Sequence, residues 1–283
     1  MSGLVFGVTG QVAMELGRLA PDLTFLSRQD VDLERPDLCR DRILLLRPEF
    51  VINAAAFTKV DHAEEEWDRA QTVNAEAPGM MAQACAEIHV PFVHLSTDYV
   101  FDGSGETEKA PADQAAPLNA YGTTKLAGEN LVVAAGGTYA VVRTSWVFSA
   151  HGRNFVKTML ELSRSRDVLS IVDDQIGGPT PAREIASAAL TIATTLMREP
   201  SLSGIYHFAG RPALSWAEFA REIFQMANCN VAVIGIPSAD YPTPAERPKN
   251  TRLDCRATKE AFGLDGPDWR IGLRAVLDEL GAT

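Results

Sequence analysis

Short apolar runs alternate with amphipathic stretches along the first half of the chain. The apolar runs lie at residues 4–6, 23–26, 50–53, 91–95 and 139–143. Runs of this length, bounded by turn residues, are typical of strands buried on both faces of a parallel sheet. Helical periodicity separates them, with the first two helices expected at about 11–19 and 35–46. This order predicts an α/β protein with a Rossmann-type doubly wound parallel sheet.

The alternation loosens after residue 148. Helices are expected at about 154–163, 183–197, 215–226 and from 269, with strands at 168–172, 205–208 and 231–234. The strands at 168–172 and 205–208 can still extend the sheet, and a proline-dense loop covers 237–248. We therefore expect a dinucleotide-binding domain at 1–147 plus about 183–210. A small mixed α/β substrate-binding lobe is expected at about 148–182 plus 211–283, on the C-terminal side.

Composition excludes several classes of protein. The chain is 46% hydrophobic and 22% charged, with a formal net charge of −11. This negative charge disfavours nonspecific nucleic-acid binding, and no apolar run approaches the ~20 residues that span a bilayer. No signal-peptide pattern opens the sequence, so we expect a cytoplasmic protein with neither nucleic-acid nor membrane partners. The cysteines, Cys39, Cys85, Cys229 and Cys255, follow no metal-ligand spacing, which favours reduced thiols.

A glycine-rich turn joins the first strand to the first helix. Gly7 and Gly10 follow the run at 4–6, and such a turn lets backbone amides approach a pyrophosphate at the positive end of a helix. The spacing is G-x-x-G-x-x-A, with Ala13 where a third glycine often packs helix on strand. A turn without a ligand is the alternative. The position of the turn, at the start of an alternating β/α chain, favours binding of a nucleotide.

Charged residues after the second strand bear on the choice of cofactor. Ser27 and Arg28 follow that strand, with Asp30 and Asp32 just behind. An acidic residue there binds the adenosine ribose hydroxyls of NAD, whereas an arginine suits the extra phosphate of NADP. Arg28 favours NADPH, and the two aspartates keep NADH as the alternative.

Tyr121 and Lys125 are four residues apart at the start of a predicted helix, so they share one helix face. A nearby cation lowers the pKa of a phenol, which starts near ~10 and must exchange protons near neutral pH. The pair is therefore suited to general acid catalysis. An ordinary helix surface is the alternative for this pair taken alone.

Polar and small residues follow the third and fourth strands. Ser96, Thr97 and Asp98 come directly after the apolar run at 91–95, and the small residues at 54–56 follow the run at 50–53. Ligands approach a doubly wound sheet at the carboxyl ends of its strands, so these positions are candidates for a site. The small residues are equally explained by tight packing. His94 lies inside an apolar strand and is expected to be a core residue.

Several of these segments occur together in one known family. The glycine turn, the segment 53–56, the segment 96–98 and the motif Tyr121-x-x-x-Lys125 occur in order at the ends of successive β/α units. This constellation resembles the extended short-chain dehydrogenase/reductase family. Members that reduce nucleotide-linked keto sugars are matched across essentially the whole chain, through segments 96–103, 117–122, 143–147, 174–180 and 241–248.

The resemblance implies an NAD(P)H-dependent oxidoreductase. Its substrate would be a nucleoside-diphosphate sugar, a dTDP-4-keto-6-deoxyhexose whose C4 keto group is reduced to give dTDP-L-rhamnose for cell-surface polysaccharide. Tyr121 would protonate the C4 oxygen while the nicotinamide gives a hydride to C4. Thr97 would hold that oxygen by a hydrogen bond, and Lys125 would bind the nicotinamide ribose. Asn74 matches a family asparagine that supports a water relay behind the lysine.

Further contacts are implied by the same resemblance. For the cofactor, they come from Gly10, Gln11, Val12, Asp32, Leu33, Ala56, Phe57 and Thr58, beside Gly7, Arg28, Tyr121 and Lys125. A solvated acid and a core leucine are alternatives for Asp32 and Leu33. For the sugar, the contacts come from Asp98 and Trp146, whose flat apolar ring suits a hexose face.

Two more expectations concern the residues that would bind the diphosphate of the substrate and a metal ion. Candidates for the diphosphate are Arg247, Lys249 and Arg252, with a solvated basic turn as the alternative. Some relatives bind magnesium at a dimer interface, and Glu15 matches one such ligand. Its partners fall near Arg183 and Glu184, where arginine partly replaces acid, so we expect no strong metal site. The chain is expected to be a monomer or a homodimer.

Other functions compete with reduction. A dehydratase of this family commonly places a glutamate after the Thr-Asp pair, whereas this chain has Tyr99 there. An epimerase shares Tyr121, Lys125 and the cofactor, but the segments around Trp146 and Arg247 favour the reductase. Reductase-like chains also serve as non-catalytic regulatory subunits of methionine adenosyltransferase, and the intact reactive set argues for an enzyme instead.

Overall fold

The computed structural model describes residues 2–282. Its strands are β1 (Gly3–Phe6), β2 (Thr24–Leu26), β3 (Phe50–Asn53), β4 (Phe92–Thr97), β5 (Tyr139–Thr144), β6 (Val147–Phe148), β7 (Val168–Val172), β8 (Ile176–Gly177), β9 (Thr180–Pro181), β10 (Gly204–His207), β11 (Leu214–Ser215), β12 (Ala232–Ile236) and β13 (Asn250–Thr251). Its α-helices are α1 (Gln11–Leu19), α2 (Pro36–Leu46), α3 (Val60–Ala63), α4 (Trp67–Gln71), α5 (Ala77–Glu87), α6 (Ala120–Ala134), α7 (Phe155–Leu162), α8 (Ala182–Leu196), α9 (Trp216–Met226), α10 (Arg256–Phe262) and α11 (Trp269–Glu279).

Six strands form one parallel sheet in the order β10-β5-β4-β3-β1-β2. The chain moves from β1 to one side for β2 and then crosses to the other side for β3. The switch point therefore lies between β1 and β3, where doubly wound sheets bind their ligands. The predicted Rossmann-like α/β class is confirmed.

Helices cover both faces of this sheet because its strands are apolar on both sides. On one face α1 and α8 pack through residues such as Leu16, Ile185 and Ile192. On the other face α2 and α5 pack through residues such as Ile43 and Met81. Burial of this kind contributes about 25 cal/mol per Å² of apolar surface and holds the strand ends in place.

A separate apolar cluster lies in the later part of the chain. It is built from α7, α9 and α11 around residues that include Phe148, Phe219 and Trp269. Small sheets flank it, one pairing β7 with β12 in parallel and one ordered β11-β8-β13. The strand expected at 205–208 does extend the main sheet as β10, but the strand at 168–172 does not. Since β10 occupies the edge beside β5, β7 pairs with β12 instead.

An irregular turn precedes Pro78 and Gly79. Helix α5 runs through both residues, and a π-helical segment, Thr72–Glu76, joins it to α4. Pro78 has no N–H to give to the carbonyl of Asn74, four residues before it, and a wider turn accommodates the missing bond.

Two chain-wide properties follow from these elements. Across residues 2–282, every helix is too short or too polar to cross a bilayer. The four cysteines are free thiols, and Cys39, Cys85 and Cys255 are buried.

Candidate active site

A groove of about 710 Å³ lies at the carboxyl ends of β1, β2 and β3. Its position is the switch point of the sheet. The residues predicted for the cofactor that line it are Gly7, Gly10, Arg28, Asp32, Leu33, Ala56, Phe57 and Thr58. We call it the first groove.

The turn at the base of the first groove suits an anionic ligand. Gly7 has a φ of +114°, in the left-handed region that side-chain-bearing residues rarely adopt. Helix α1 begins after Gly10 with no side-chain cap and no acidic residue in its first turn. Its first amides are therefore available to a pyrophosphate at the positive end of the helix.

The side chains of Gln11 and Val12 point away from the first groove. Val12 is buried in the core beneath α1. Gln11 donates to the carbonyl of Val147 at 3.3 Å and accepts from Ser149 and Asn154 at 2.9 Å each. Only the backbone of these two positions is placed to meet a cofactor, and the Gln11 side chain joins α1 to the loop after β6.

Ion pairs fill the end of the first groove beside β2. Arg28 binds the carboxylates of Asp32, at 3.0 Å, and Glu34. Arg69 binds Glu34 at 2.8 Å and Glu66 at 2.7 Å. Glu34 and Arg69 were not among the predicted residues. Two guanidinium groups thus stand where a ribose or its phosphate would lie, each already bound to acids.

Helix α6 carries Tyr121 and Lys125 and is fixed tightly at its start. Asn119 caps it, accepting from the amide of Gly122 at 2.8 Å and donating to the carbonyl of Glu246 at 2.7 Å. A Cβ at Gly122 would lie 2.2 Å from the carbonyl oxygen of Tyr99. Only glycine allows this approach, so the residue after Tyr121 sets the distance between α6 and the end of β4.

Tyr121 lies beside Thr97 and Asp98 at the end of β4. The Thr97 hydroxyl donates to Asp98 at 2.9 Å, and the ring of Tyr99 meets the edge of Tyr121 with centroids 5.7 Å apart. Burial raises the pKa of Tyr121 to about 12, and hydrogen bonding with Thr97 partly offsets this increase. The sequence predicted a lowered pKa through Lys125, so that expectation was wrong for this structure.

The position of Lys125 explains this difference. Its Nζ donates to the carbonyl of Leu95 at 2.8 Å and lies 3.1 Å from Nε2 of His94. Burial lowers the pKa of Lys125 to about 8, against the opposing charge of Glu129. Lys125 has a lowered pKa and points towards β4, so it does little to lower the pKa of Tyr121. His94 is a fully buried core residue, as predicted, but it also contacts the candidate catalytic lysine.

Asn74 is placed to support the first groove. Its amide accepts from the backbone N–H of Phe57 at 2.8 Å and donates to the carbonyl of Phe57 at 3.1 Å and to Thr124 at 3.2 Å. A Cβ at Gly128 would lie 2.1 Å from the Asn74 carbonyl oxygen. Asn74 therefore fixes the loop after β3 against α6. Its side chain hydrogen-bonds Phe57 and Thr124 rather than Lys125.

A second groove, of about 520 Å³, lies on the side of the later lobe. Its lining includes Asp61, Tyr99, Phe155, Met159, Gln175, Trp216, Tyr241 and Arg247. Arg247, predicted for the diphosphate, binds the carboxylate of Asp61 at 2.8 Å. Lys249 pairs with Asp174 at 3.0 Å outside this lining. Tyr121 lines neither groove but lies close to both, because it shares an apolar cluster with Phe57 of the first and packs on Tyr99 of the second.

Trp146 is stacked beneath the second groove. Its ring lies 3.4 Å from that of Trp216 at an angle of 5°, and its backbone has a φ of +46°. A Cβ at Gly177 would meet the Trp146 ring at 2.6 Å. Trp216 is the member of this stack that lines the groove, although the sequence had pointed to Trp146.

One cluster among residues 2–282 has the composition of a metal site. Ligand atoms of Glu15, His151 and Glu279 lie within 4.8 Å of one another. Arg18 binds Glu279 at 2.7 Å and lies 3.5 Å from Glu15. A guanidinium already supplies positive charge to both carboxylates, so the cluster fits a divalent ion poorly.

Sequence reasoning missed residues of two kinds. Glu34 lies two positions after Asp32 and belongs to the same acidic stretch behind β2, so the stretch could have been assigned as a whole. Arg69, Asp61 and Trp216 reach the grooves from helices whose orientation depends on tertiary packing. No local pattern in the sequence identifies them.

Comparisons with known proteins agree with the fold. The family model described as RmlD substrate binding domain matches residues 1–282. A dTDP-4-dehydrorhamnose reductase of Shigella flexneri is 38% identical over all of this chain and 99% of the relative. The crystal structure of a Clostridium acetobutylicum dTDP-4-dehydrorhamnose reductase has a TM-score of 0.92 at 34% identity, covering 99% of this chain and 100% of that one. A Bacillus anthracis dTDP-4-dehydrorhamnose reductase, solved in complex with NADP, has a TM-score of 0.91 at 33% identity with the same coverage.

Proposed function

The chain belongs to the RmlD substrate binding domain family, and on this premise we propose that it reduces dTDP-4-dehydrorhamnose to dTDP-L-rhamnose with NAD(P)H. It is an oxidoreductase acting on the C4 keto group of a nucleotide sugar. One observation supports this most strongly. Tyr121, beside Thr97, lies close to a lining residue of each groove: it shares an apolar cluster with Phe57 of the first and packs on Tyr99 of the second.

The residues between the grooves carry the chemistry. A nicotinamide cofactor held in the first groove would supply the hydride that reduces C4 of the sugar. Tyr121 donates its phenolic proton to the C4 oxygen, and Thr97 hydrogen-bonds that oxygen as negative charge develops on it. The raised pKa of Tyr121 keeps its proton in place near neutral pH, so the residue is a proton donor before the reaction. Lys125 holds the nicotinamide ribose once the cofactor lies in the first groove.

The second groove binds the nucleotide sugar. Its walls come mostly from residues 148–182 and 211–283, the segments expected to form a substrate-binding lobe, together with Asp61 and Tyr99. The buried members of the lobe's apolar cluster also fall within those two segments, which supports the division. Trp216 offers a flat apolar wall, and Arg247 offers a guanidinium that a diphosphate can take over from Asp61.

NADPH is the preferred cofactor, and no metal ion takes part. Arg28 and Arg69 both line the end of the first groove beside β2, where the extra phosphate of NADPH would lie. Asp32 and Glu34 bind these arginines, so the preference over NADH is modest. Arg18 occupies the place of a cation in the cluster of Glu15, His151 and Glu279.

The test follows loss of NADPH absorbance, then of NADH absorbance, with dTDP-4-keto sugar made in situ by its dehydratase and epimerase. We expect turnover with both cofactors and a higher kcat/KM with NADPH. Tyr121→Phe should lower kcat by about 10²- to 10⁴-fold, the usual contribution of a positioned general acid.

Cofactor binding separates the outcomes of this test. Tyr121→Phe should bind NADPH with a Kd within a factor of about 3 of the unaltered chain, since it loses one hydroxyl. Cofactor binding without any turnover by the unaltered chain would overturn the proposed reaction. Turnover that persists undiminished in Tyr121→Phe would overturn the role of that residue.

A further inference from the structure

A chain of three buried side chains runs from β3 through β4 to α6. Nδ2 of Asn53 lies 3.2 Å from Nδ1 of His94, and Nε2 of His94 lies 3.1 Å from Nζ of Lys125. All three residues are at most 1% exposed. In such surroundings every N–H needs an acceptor, so the proton positions along the chain depend on one another.

Asn53 fixes the first proton position. Its Oδ1 accepts from the backbone N–H of Ala55 at 3.1 Å, which leaves Nδ2 facing His94. The amide nitrogen can only donate, so Nδ1 of His94 must be the acceptor. A neutral imidazole with an unprotonated Nδ1 carries its proton on Nε2.

The second proton position follows from the first. The Nε2–H of His94 points at Nζ of Lys125, and a contact of 3.1 Å between two nitrogens requires a lone pair on one of them. An ammonium group has none, whereas a neutral amine has one. The amine keeps an N–H for the carbonyl of Leu95, which it donates at 2.8 Å.

We propose that His94 is a positioning residue, held by Asn53 in its Nε2–H tautomer, which keeps Lys125 as the neutral amine in the cofactor-free protein. This inference rests on the proposed role of Lys125 and adds a device that regulates it. The amine is anchored to β4 by His94 and Leu95 until a cofactor enters the first groove. Uptake of a proton by Lys125 then requires His94 to change tautomer or turn away.

The charges around the pair agree with this assignment. Burial lowers the pKa of His94 well below its usual value, and Lys125 lowers it further, so the imidazole is neutral. Burial also lowers the pKa of Lys125 to about 8, while Glu129 raises it, so ammonium and amine differ near neutral pH by about the free energy of one hydrogen bond, which the Nε2–H of His94 supplies to the amine. Glu129 is itself paired with Arg143 at 2.6 Å, which offsets its influence. No other charged group contributes resolvably to either pKa in the part of the chain that the structure describes.

The tautomer can be observed directly, without any assay of turnover. Nitrogen NMR of ¹⁵N-labelled histidine in the cofactor-free protein separates a protonated ring nitrogen from an unprotonated one. The chain has 5 histidines, and His94→Gln assigns the signal of His94. We expect a protonated Nε2 and an unprotonated Nδ1 at about pH 8, near the lowered pKa of Lys125 and above the ordinary histidine pKa. A protonated Nδ1 would overturn the proposal, whether or not the chain proves to be a reductase.

An isosteric change at Asn53 tests the consequence for Lys125. The carboxylate of Asn53→Asp can accept but not donate, so it should draw the His94 proton onto Nδ1 and turn Nε2 into an acceptor. Lys125 is then favoured as the ammonium, and its pKa should rise. The measurement is the pH dependence of the Lys125 ¹³Cε shift, assigned with Lys125→Met.

The added charge at position 53 raises the pKa of Lys125 by itself, so a double-mutant cycle removes that effect. Asn53→Asp should raise the Lys125 pKa by about one unit more in the His94 protein than in the His94→Gln background, roughly the effect of one hydrogen bond. Equal shifts in the two backgrounds would show that only charge acts, and would overturn the role of His94. Thermal unfolding of each variant confirms that the compared proteins are folded.

Discussion

The hydroxyl of Thr97 donates a hydrogen bond of 2.9 Å to the carboxylate of Asp98, the next residue along the chain. Thr97 has one proton, and this bond uses it. The other carboxylate oxygen of Asp98 is buried and has no hydrogen-bond partner among residues 2–282. Burial raises the pKa of Asp98 to about 7, with the bond from Thr97 acting in the opposite direction. A protonated Asp98 can donate to Thr97 instead, which frees the threonine proton for a substrate oxygen.

The raised pKa of Asp98 gives stability a defined pH dependence. Between the ordinary carboxyl pKa of ~4 and about pH 7 the folded chain holds a proton that the unfolded chain has lost, so stability falls as pH rises through this window. Asp98→Asn is neutral throughout and avoids this loss. We expect the variant to gain about 4 kcal/mol over the unaltered chain at pH 8, and the gain to vanish near pH 4. Urea unfolding at both pH values measures it, and a gain independent of pH would contradict the assignment.

Cofactor preference should respond to Glu34. This carboxylate binds both Arg28 and Arg69, so Glu34→Gln releases two guanidinium groups towards an added phosphate. We expect the ratio of kcat/KM for NADPH to that for NADH to rise by about tenfold, equivalent to ~1.4 kcal/mol. Glu66→Gln is the matched control, because Glu66 binds Arg69 but not Arg28. An unchanged ratio in Glu34→Gln would place the phosphate elsewhere.

Chelators should leave the protein unaffected. Arg18 binds Glu279 through two hydrogen bonds, of 2.7 and 3.0 Å, and supplies the positive charge that a divalent ion would bring to the cluster with Glu15 and His151. We expect excess EDTA to change neither kcat nor the melting temperature. A bound ion with Kd one hundredth of its concentration contributes about 2.7 kcal/mol, so its removal would be visible as a lower melting temperature. Such a decrease, reversed by added magnesium, would contradict this prediction.

Two glycines in helices should respond oppositely to alanine. A Cβ at Gly128 would lie 2.1 Å from the carbonyl oxygen of Asn74, so Gly128→Ala must push α6 from the π-helical segment. We expect it to destabilise the fold by about 1–3 kcal/mol. At Gly17 the nearest atom is Cζ of Phe25 at 3.8 Å, an ordinary contact. Gly17→Ala should stabilise by about 0.5–1 kcal/mol through helix propensity. Equal effects in denaturant unfolding would contradict the close approach at Gly128.

The sheet was predictable because its strands and helices differ in local periodicity. The runs at 4–6, 50–53 and 139–143 coincide with β1, β3 and β5 to within a residue at each end. The partner of β7 was not predictable, because the apolar run alone does not specify which strand it pairs with. Competition from β10 decides that question, and it depends on the whole fold.

The candidate site was predictable to the level of motifs but not of contacts. The spacing of Tyr121 and Lys125 indicated one helix face, yet the lysine turns towards β4, where His94 and Leu95 receive it. Likewise Arg28 was identified by its place after β2, whereas Arg69 reaches the same groove from α4. Contacts across strands and helices come from tertiary packing, and the sequence alone gives no signal for them.

The order of synthesis separates the two grooves in time. Every residue that lines the first groove falls between positions 7 and 73. Arg247, which binds Asp61 in the wall of the second groove, comes 186 residues after its partner. Domains fold from the N-terminus as the ribosome extends the chain. The sheet that carries the first groove is completed by α8 and β10, which end at Leu196 and His207, so this groove can form before Arg247 has been synthesised. The second groove cannot be complete until Arg247 has emerged.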